Sequence, residues 1–266
     1  MTRQELIQQI QQKKTYLCVG LDTDIDKIPA HLHQQDDPVF AFNKAIIDAT
    51  KAYCVCYKVN TAFYESLGAD GWLSMQKTIE YIGNEHLKIA DAKRGDIGNT
   101  SHQYAKAFFE TLPFDAITVA PYMGQDSLQP FLNYTNKWTI VLGLTSNKGA
   151  ADFELQPCGE ELLYEKVLKT ISGWGSTDNL MFVVGATQPD WFTKIRELIP
   201  DHFLLVPGVG SQGGSLKDIS EKAMNKDCGL LVNVSRDIIY ASSGEDFAEV
   251  AGQKAKMYQQ EMKSFL

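Results

Sequence analysis

Leu87-Lys88-Ile89-Ala90-Asp91-Ala92-Lys93-Arg94-Gly95-Asp96-Ile97-Gly98-Asn99-Thr100 runs from a short apolar segment into a charged decapeptide. Leu87 to Ala90 reads as a buried parallel strand. Ser101 to Glu110 beyond it has helical spacing, with Tyr104, Ala105, Phe108 and Phe109 as its apolar stripe. The charges therefore stand where a strand ends and its βα loop begins. Because a strand alternates its faces, Asp91 and Lys93 point one way and Ala92 the other, with Asp96 already in the loop. A solvated ion pair is the ordinary fate of such a cluster. Here the charges leave a buried strand on one face, where an ion is costly unless paired, and that favours function.

Outward from this stretch the same alternation repeats. Strands are expected at Tyr16–Leu21, Cys54–Asn60, Leu87–Asp91, Ala116–Ala120, Trp138–Leu144, Leu180–Val184, Phe203–Val206 and Gly229–Val234. Helical stretches lie at Glu5–Lys13, Val39–Tyr53, Gly71–Gly83, Ser127–Leu132, Leu162–Ser172, Pro189–Leu198, Gly214–Asn225 and Asp246–Lys263. Eight βα units imply a parallel sheet closed on itself, a (β/α)8 TIM barrel, and the 266 residues suit one such domain over the whole chain. Asp22, Lys58, Asp91, Pro121, Thr145, Pro207 and Asn233 end strands, at the edge where barrel enzymes carry their chemistry. Asp24–Pro38 and Thr145–Glu161 are long for βα loops, as lids and partner contacts often are.

Composition narrows the partners. A net charge of -8 argues against nucleic acid or an anionic membrane, though not against an anionic small substrate. No stretch is long and apolar enough to span a bilayer, and Met1 to Lys14 is polar and Gln-rich, unlike a signal peptide. Five scattered cysteines give no disulfide framework, so a reducing cytoplasm is expected. His31 and His33 lack zinc spacing and read as exposed polar residues, and no metal site is expected.

Lys58 shares a strand face with Cys56 and Asn60, so it should project inward beside Asp91 and Lys93. Asp22 on the neighbouring first strand reaches the same place. Asp22, Lys58, Asp91, Lys93 and Asp96 then form an alternating array in which each carboxylate favours its charged ammonium neighbours. A snorkelling surface lysine is the alternative for Lys58. Pro207-Gly208-Val209-Gly210-Ser211-Gln212-Gly213-Gly214 formally matches a dinucleotide fingerprint. It comes late in the chain, and the next strand ends in Asn233 rather than an acid. What remains is a turn whose amides can face an anion, or simply a tight turn. Val234-Ser235-Arg236-Asp237 follows the eighth strand, and Arg236 beside the seventh loop favours a phosphate over a surface pair with Asp237.

Taken together these stretches resemble the orotidine 5′-phosphate decarboxylase family, in its longer bacterial subgroup, over essentially the entire chain. The resemblance rests on Asp91 to Gly98, Tyr57-Lys58-Val59-Asn60, Ala120-Pro121-Tyr122-Met123-Gly124, Leu144-Thr145-Ser146-Asn147, the glycine turn and Val234-Ser235-Arg236. Asn99 stands where the subgroup would carry serine. The resemblance implies loss of carbon dioxide from orotidine 5′-phosphate to give uridine 5′-phosphate, without metal or cofactor. It makes Lys93 the proton donor, with Lys58, Asp91 and Asp96 completing a charged tetrad. Asp22 would hold the ribose, Ser146 the pyrimidine, and Gln212 and Arg236 the phosphate. It also implies a homodimer in which Asp96 and Thr100 reach the partner's site. Two rivals stand beside it: a magnesium-dependent decarboxylase or aldolase acting on keto-sugar phosphates, and a catalytically silent nucleotide-phosphate sensor. The first needs an acid where Lys58 stands, and an ammonium has no lone pair for Mg²⁺. A sensor need not retain the charged array.

Overall fold

Eight short apolar runs pair side by side in chain order in the computed structural model, which describes residues 1–186, 190–210 and 213–266. They are β1 (Leu17–Gly20), β2 (Cys56–Asn60), β3 (Leu87–Arg94), β4 (Ala116–Val119), β5 (Trp138–Leu144), β6 (Leu180–Val184), β7 (Phe203–Pro207) and β8 (Leu230–Val234). Every pairing is parallel, and β8 closes on β1 through Leu17 opposite Val232 and Cys18 opposite Asn233. This is the expected (β/α)8 barrel. Its strands are buried on both faces, because side chains fill the interior and helices cover the outside.

The register places the site. Gly20 lies opposite Lys58, Lys58 opposite Ile89, and Asn60 opposite Asp91. Within β2, the Tyr57 hydroxyl lies 2.9 Å from Thr50 Oγ1 on the helix Pro38–Thr50 outside the barrel. The next residue, Lys58, therefore points into the barrel toward its C-terminal mouth. One layer below, the Cys18 and Cys56 thiols meet at 3.2 Å, buried and free.

Several boundaries differ from the expected ones, each for a local reason. The helix expected at Val39 begins at Pro38, with Asp37 accepting from the Phe40 N–H as its cap, and stops at Thr50. Asp24–Pro38 is not wholly irregular, since 3-10 turns occupy Ile25–Lys27 and Ala30–Gln34. The helix expected at Gly71 starts at Gly68 and follows a short helix, Thr61–Glu65, begun by the Asn60 side chain. The helix expected from Ser101 starts at Gly98 and ends in a π turn, Ala107–Thr111, that turns Phe108 and Phe109 inward. β3 does not stop at Asp91 but runs to Arg94 through a register irregularity against β4. A small hairpin, Pro157–Cys158 with Glu161–Leu162, sits inside the long loop after β5. Pro189 and Gln212 lie outside the described residues.

Candidate active site

Lys58 is 4% exposed at the end of β2. Its Nζ lies 3.3 Å from Asp22 Oδ1 and 2.9 Å from Asp91 Oδ2. The other Asp91 oxygen, Oδ1, accepts from Lys93 Nζ at 2.6 Å and from the Thr118 hydroxyl at 3.0 Å. Asp22, Lys58, Asp91 and Lys93 thus form one connected array. Burial opposes the charge on Asp91, but the Lys58 and Lys93 ammoniums outweigh it and hold the carboxyl well below the usual carboxylate range. Burial likewise opposes the charge on Lys58, and Asp22 followed by Asp91 reverses the effect, raising the ammonium pKa far above that of an ordinary lysine.

Lys93 differs from Lys58 in both exposure and backbone. Its side chain is half exposed over the cavity, and its φ of 47° lies in the left-handed region, where a non-glycine residue costs about 1–3 kcal/mol. The backbone N–H of Lys93 donates to Thr118 Oγ1 at 2.9 Å, which holds the residue in this conformation. One residue later the Arg94 guanidinium turns away to Glu65 and the Tyr104 and Phe108 rings. The local turn lets Lys93 lean over the pocket instead of following the pleat.

The array forms one wall of a cavity of about 480 Å³, a size suited to a nucleotide-scale ligand. Thr145, Ser146 and Asn147 after β5 line a second wall, and Pro207, Gly208, Val209 and Arg236 a third. Gly208 takes a φ of 106°, open to glycine and strained for other residues, and this lets the turn fold beside Arg236. Asp237 is engaged by Tyr258 at 2.8 Å and Lys254 at 3.4 Å, so Arg236 faces the pocket rather than pairing with its neighbour.

The structure therefore brings together Asp22, Lys58, Asp91, Lys93, Ser146 and Arg236. Asp96 and Thr100 do not line this cavity. Asp96 sits in the loop with Oδ1 accepting from the Ile97 N–H at 2.8 Å, and Thr100 is exposed on the following helix. Gln212 lies outside the described residues. His31 and His33 are exposed, and no group of metal-binding side chains occurs among the described residues.

Two contributors escaped the sequence reading. Thr118 bridges the Lys93 backbone and Asp91, yet a threonine in Ala116–Val119 looks like any strand former. Tyr240 accepts from the Asp24 N–H at 2.7 Å and donates to the Asp22 carbonyl at 3.0 Å, pinning the end of β1. Parity along β4 could have aimed Thr118 inward, whereas nothing local marks Tyr240.

The model of the orotidine 5′-phosphate decarboxylase / HUMPS family matches residues 15–250. A protein of Christiangramia forsetii named orotidine 5′-phosphate decarboxylase is 60% identical over 269 residues, covering 100% of this chain and 99% of that protein. One of the same name from Flavobacterium johnsoniae is 58% identical, covering 98% and 97%. Among solved structures, the Leishmania donovani OMP decarboxylase superposes with a TM-score of 0.86 at 34% identity, covering 100% of this chain and 99% of that one. The chain belongs to the orotidine 5′-phosphate decarboxylase / HUMPS family.

Proposed function

We propose that this chain, as one barrel domain over residues 1–266, converts orotidine 5′-phosphate to uridine 5′-phosphate and carbon dioxide without metal or cofactor. The observation that carries the reading is Lys58, buried between Asp22 and Asp91 where a metal-dependent relative needs an acid. An ammonium there offers no lone pair and repels a divalent cation.

Departure of carbon dioxide from C6 of the pyrimidine leaves a carbanion with no conjugated sink. An ammonium already aimed at C6 stabilises that charge and then supplies the proton, with no reorganisation at the moment of reaction. Lys93 takes this role because it leans over the cavity while Asp91 holds its ammonium at 2.6 Å. Asp91 also stands where a departing carboxylate would be crowded. Asp22 would hold the ribose and Ser146 the pyrimidine. Arg236 would bind the phosphate with Gln212, whose part rests on the resemblance alone. Remote phosphate contacts serve to align the ring.

Asp96 is assigned to the tetrad of a partner subunit's site, with Thr100 beside it. Three features support a homodimer: both residues miss their own cavity, Ile97 between them is 61% exposed, and Tyr122 nearby is 92% exposed. Five free cysteines support a cytoplasmic setting, and no helix among the described residues is long and apolar enough to cross a membrane. Chelator-treated protein mixed with orotidine 5′-phosphate should remove the orotate absorbance band catalytically and yield uridine 5′-phosphate. Activity appearing only when magnesium is restored would sink the metal-free reading.

A further inference from the structure

The loop after β5 is folded back on its own first residue. Glu154 accepts from the Thr145 N–H at 2.7 Å through Oε2, and its Oε1 accepts from the Thr145 hydroxyl at 2.8 Å. The one hydroxyl proton is shared with Asn147 Oδ1, 2.6 Å away, whereas the backbone N–H goes to Glu154. Glu154 is itself anchored, since its carbonyl accepts from the Tyr164 N–H at 2.9 Å where the helix Leu163–Ile171 begins. Between these ends, Lys148–Asp152 forms a 3-10 turn, entered by the Ala150 N–H donating to the Asn147 carbonyl at 3.1 Å.

The opposite side of the same segment is equally confined. Gly185, just past β6, donates its N–H to the Leu144 carbonyl at 2.8 Å. A Cβ on Gly185 would stand 2.7 Å from both the N and Cβ of Ser146, closer than real contacts allow. Thr145, Ser146 and Asn147 are therefore held between Glu154 and Gly185 while forming one wall of the cavity. Glu154 does not line that cavity and joins no ion pair among the described residues. Its carboxylate, half-buried beside the site, has Thr145 as the partner that accounts for it.

We propose that Glu154 is a positioning residue, whose double hold on Thr145 fixes the Thr145–Asn147 wall and so sets affinity for the base of the bound nucleotide. The inference deepens the reading of Ser146 as the pyrimidine contact and rests on it. Charge-assisted hydrogen bonds to a backbone amide are among the stronger ones, and losing them frees a wall that must be rigid to read a base edge. The ribose and phosphate meet other walls, so they should not sense the change.

The test compares two ligands that differ by the base, uridine 5′-phosphate and ribose 5-phosphate, by titration calorimetry on the full chain. The wild-type protein should bind the nucleotide more tightly. Glu154→Ala should weaken uridine 5′-phosphate roughly tenfold while leaving ribose 5-phosphate within about twofold. Glu154→Gln, which keeps one acceptor, should recover part of the loss, and KM for the substrate should rise in parallel. Should Glu154→Ala not fold, Glu154→Gln alone carries the comparison, since it keeps the side chain's length and only one acceptor. An unchanged preference between the ligands, or equal weakening of both, overturns the role of Glu154. Wild-type protein that binds both equally overturns the nucleotide reading itself, a result visible before any variant is made.

Discussion

Lys58 sits where two carboxylates need it, and the site's electrostatics depend on that one side chain. Removing it by Lys58→Met would leave Asp22 and Asp91 facing each other at the cavity floor without their shared ammonium. Breaking a buried pair in this way costs about 3–5 kcal/mol of stability. The sign with pH follows from Asp91. A carboxyl whose folded-state pKa is depressed adds stability that is present above its unfolded pKa and lost as pH falls through the folded one. With Lys58 gone the depression shrinks, so acid unfolding should begin at a higher pH. Urea melts at neutral pH and an acid titration check this, and wild-type behaviour in both would contradict it. Lys58 was legible from strand parity, because two-residue alternation leaves a buried strand few choices, and Asp22 from its place just past the first strand, which ends at Gly20 rather than Leu21. Parity could aim Thr118 inward too, but its bond to Asp91 was not legible, since that depends on the register of a neighbouring strand that a single sequence does not display.

Among the elements, β3 and its loop depart furthest from a simple reading. Alternation correctly puts Asp91 and Lys93 at one wall, but by a left-handed turn at Lys93 within an irregular register rather than by a continued pleat. Nothing in a lysine marks a positive φ; Thr118 and the surrounding packing impose it. Beyond it, Asp96 and Thr100 sit outside their own cavity, which leads to a test of the exchanged-residue reading. Lys93→Ala and Asp96→Ala proteins should each be nearly inactive alone. Denatured together in equal amounts and refolded, they should regain up to about a quarter of wild-type activity, because half the dimers would then hold one intact site. No recovery in such mixtures would count against a shared site.

At the scale of the whole molecule, two buried histidines at the opposite end of the barrel should add to the loss of stability in acid. His86 and His202 precede β3 and β7 and are both buried. Burial, then the Lys13 charge, lowers the His86 pKa to about 4. Burial, then Arg3 and Arg196, does the same for His202, whose ring nitrogens have no hydrogen-bond partner among the described residues. Each histidine binds a proton more readily unfolded than folded. Stability is therefore complete near neutral pH and falls as pH drops from about 6.5 toward 4, by up to roughly 3 kcal/mol per residue. His202→Phe should make the fall about 1 kcal/mol per pH unit shallower in thermal melts between pH 4.5 and 6.5. An unchanged slope would mean that His202 does not titrate in this way. The barrel itself was legible because parallel strands buried on both faces read as unbroken apolar runs. The 3-10 turns after β1 and the hairpin after β5 were not, since the contacts that stabilise them lie far along the chain.

On the proposed reading, charge stabilisation and then a proton reach the ring from Lys93. The most direct test is single-turnover decarboxylation by Lys93→Ala, alongside binding of uridine 5′-phosphate. Turnover should fall by at least about 10³-fold, with nucleotide binding retained. Turnover near that of the wild-type protein would contradict that reading.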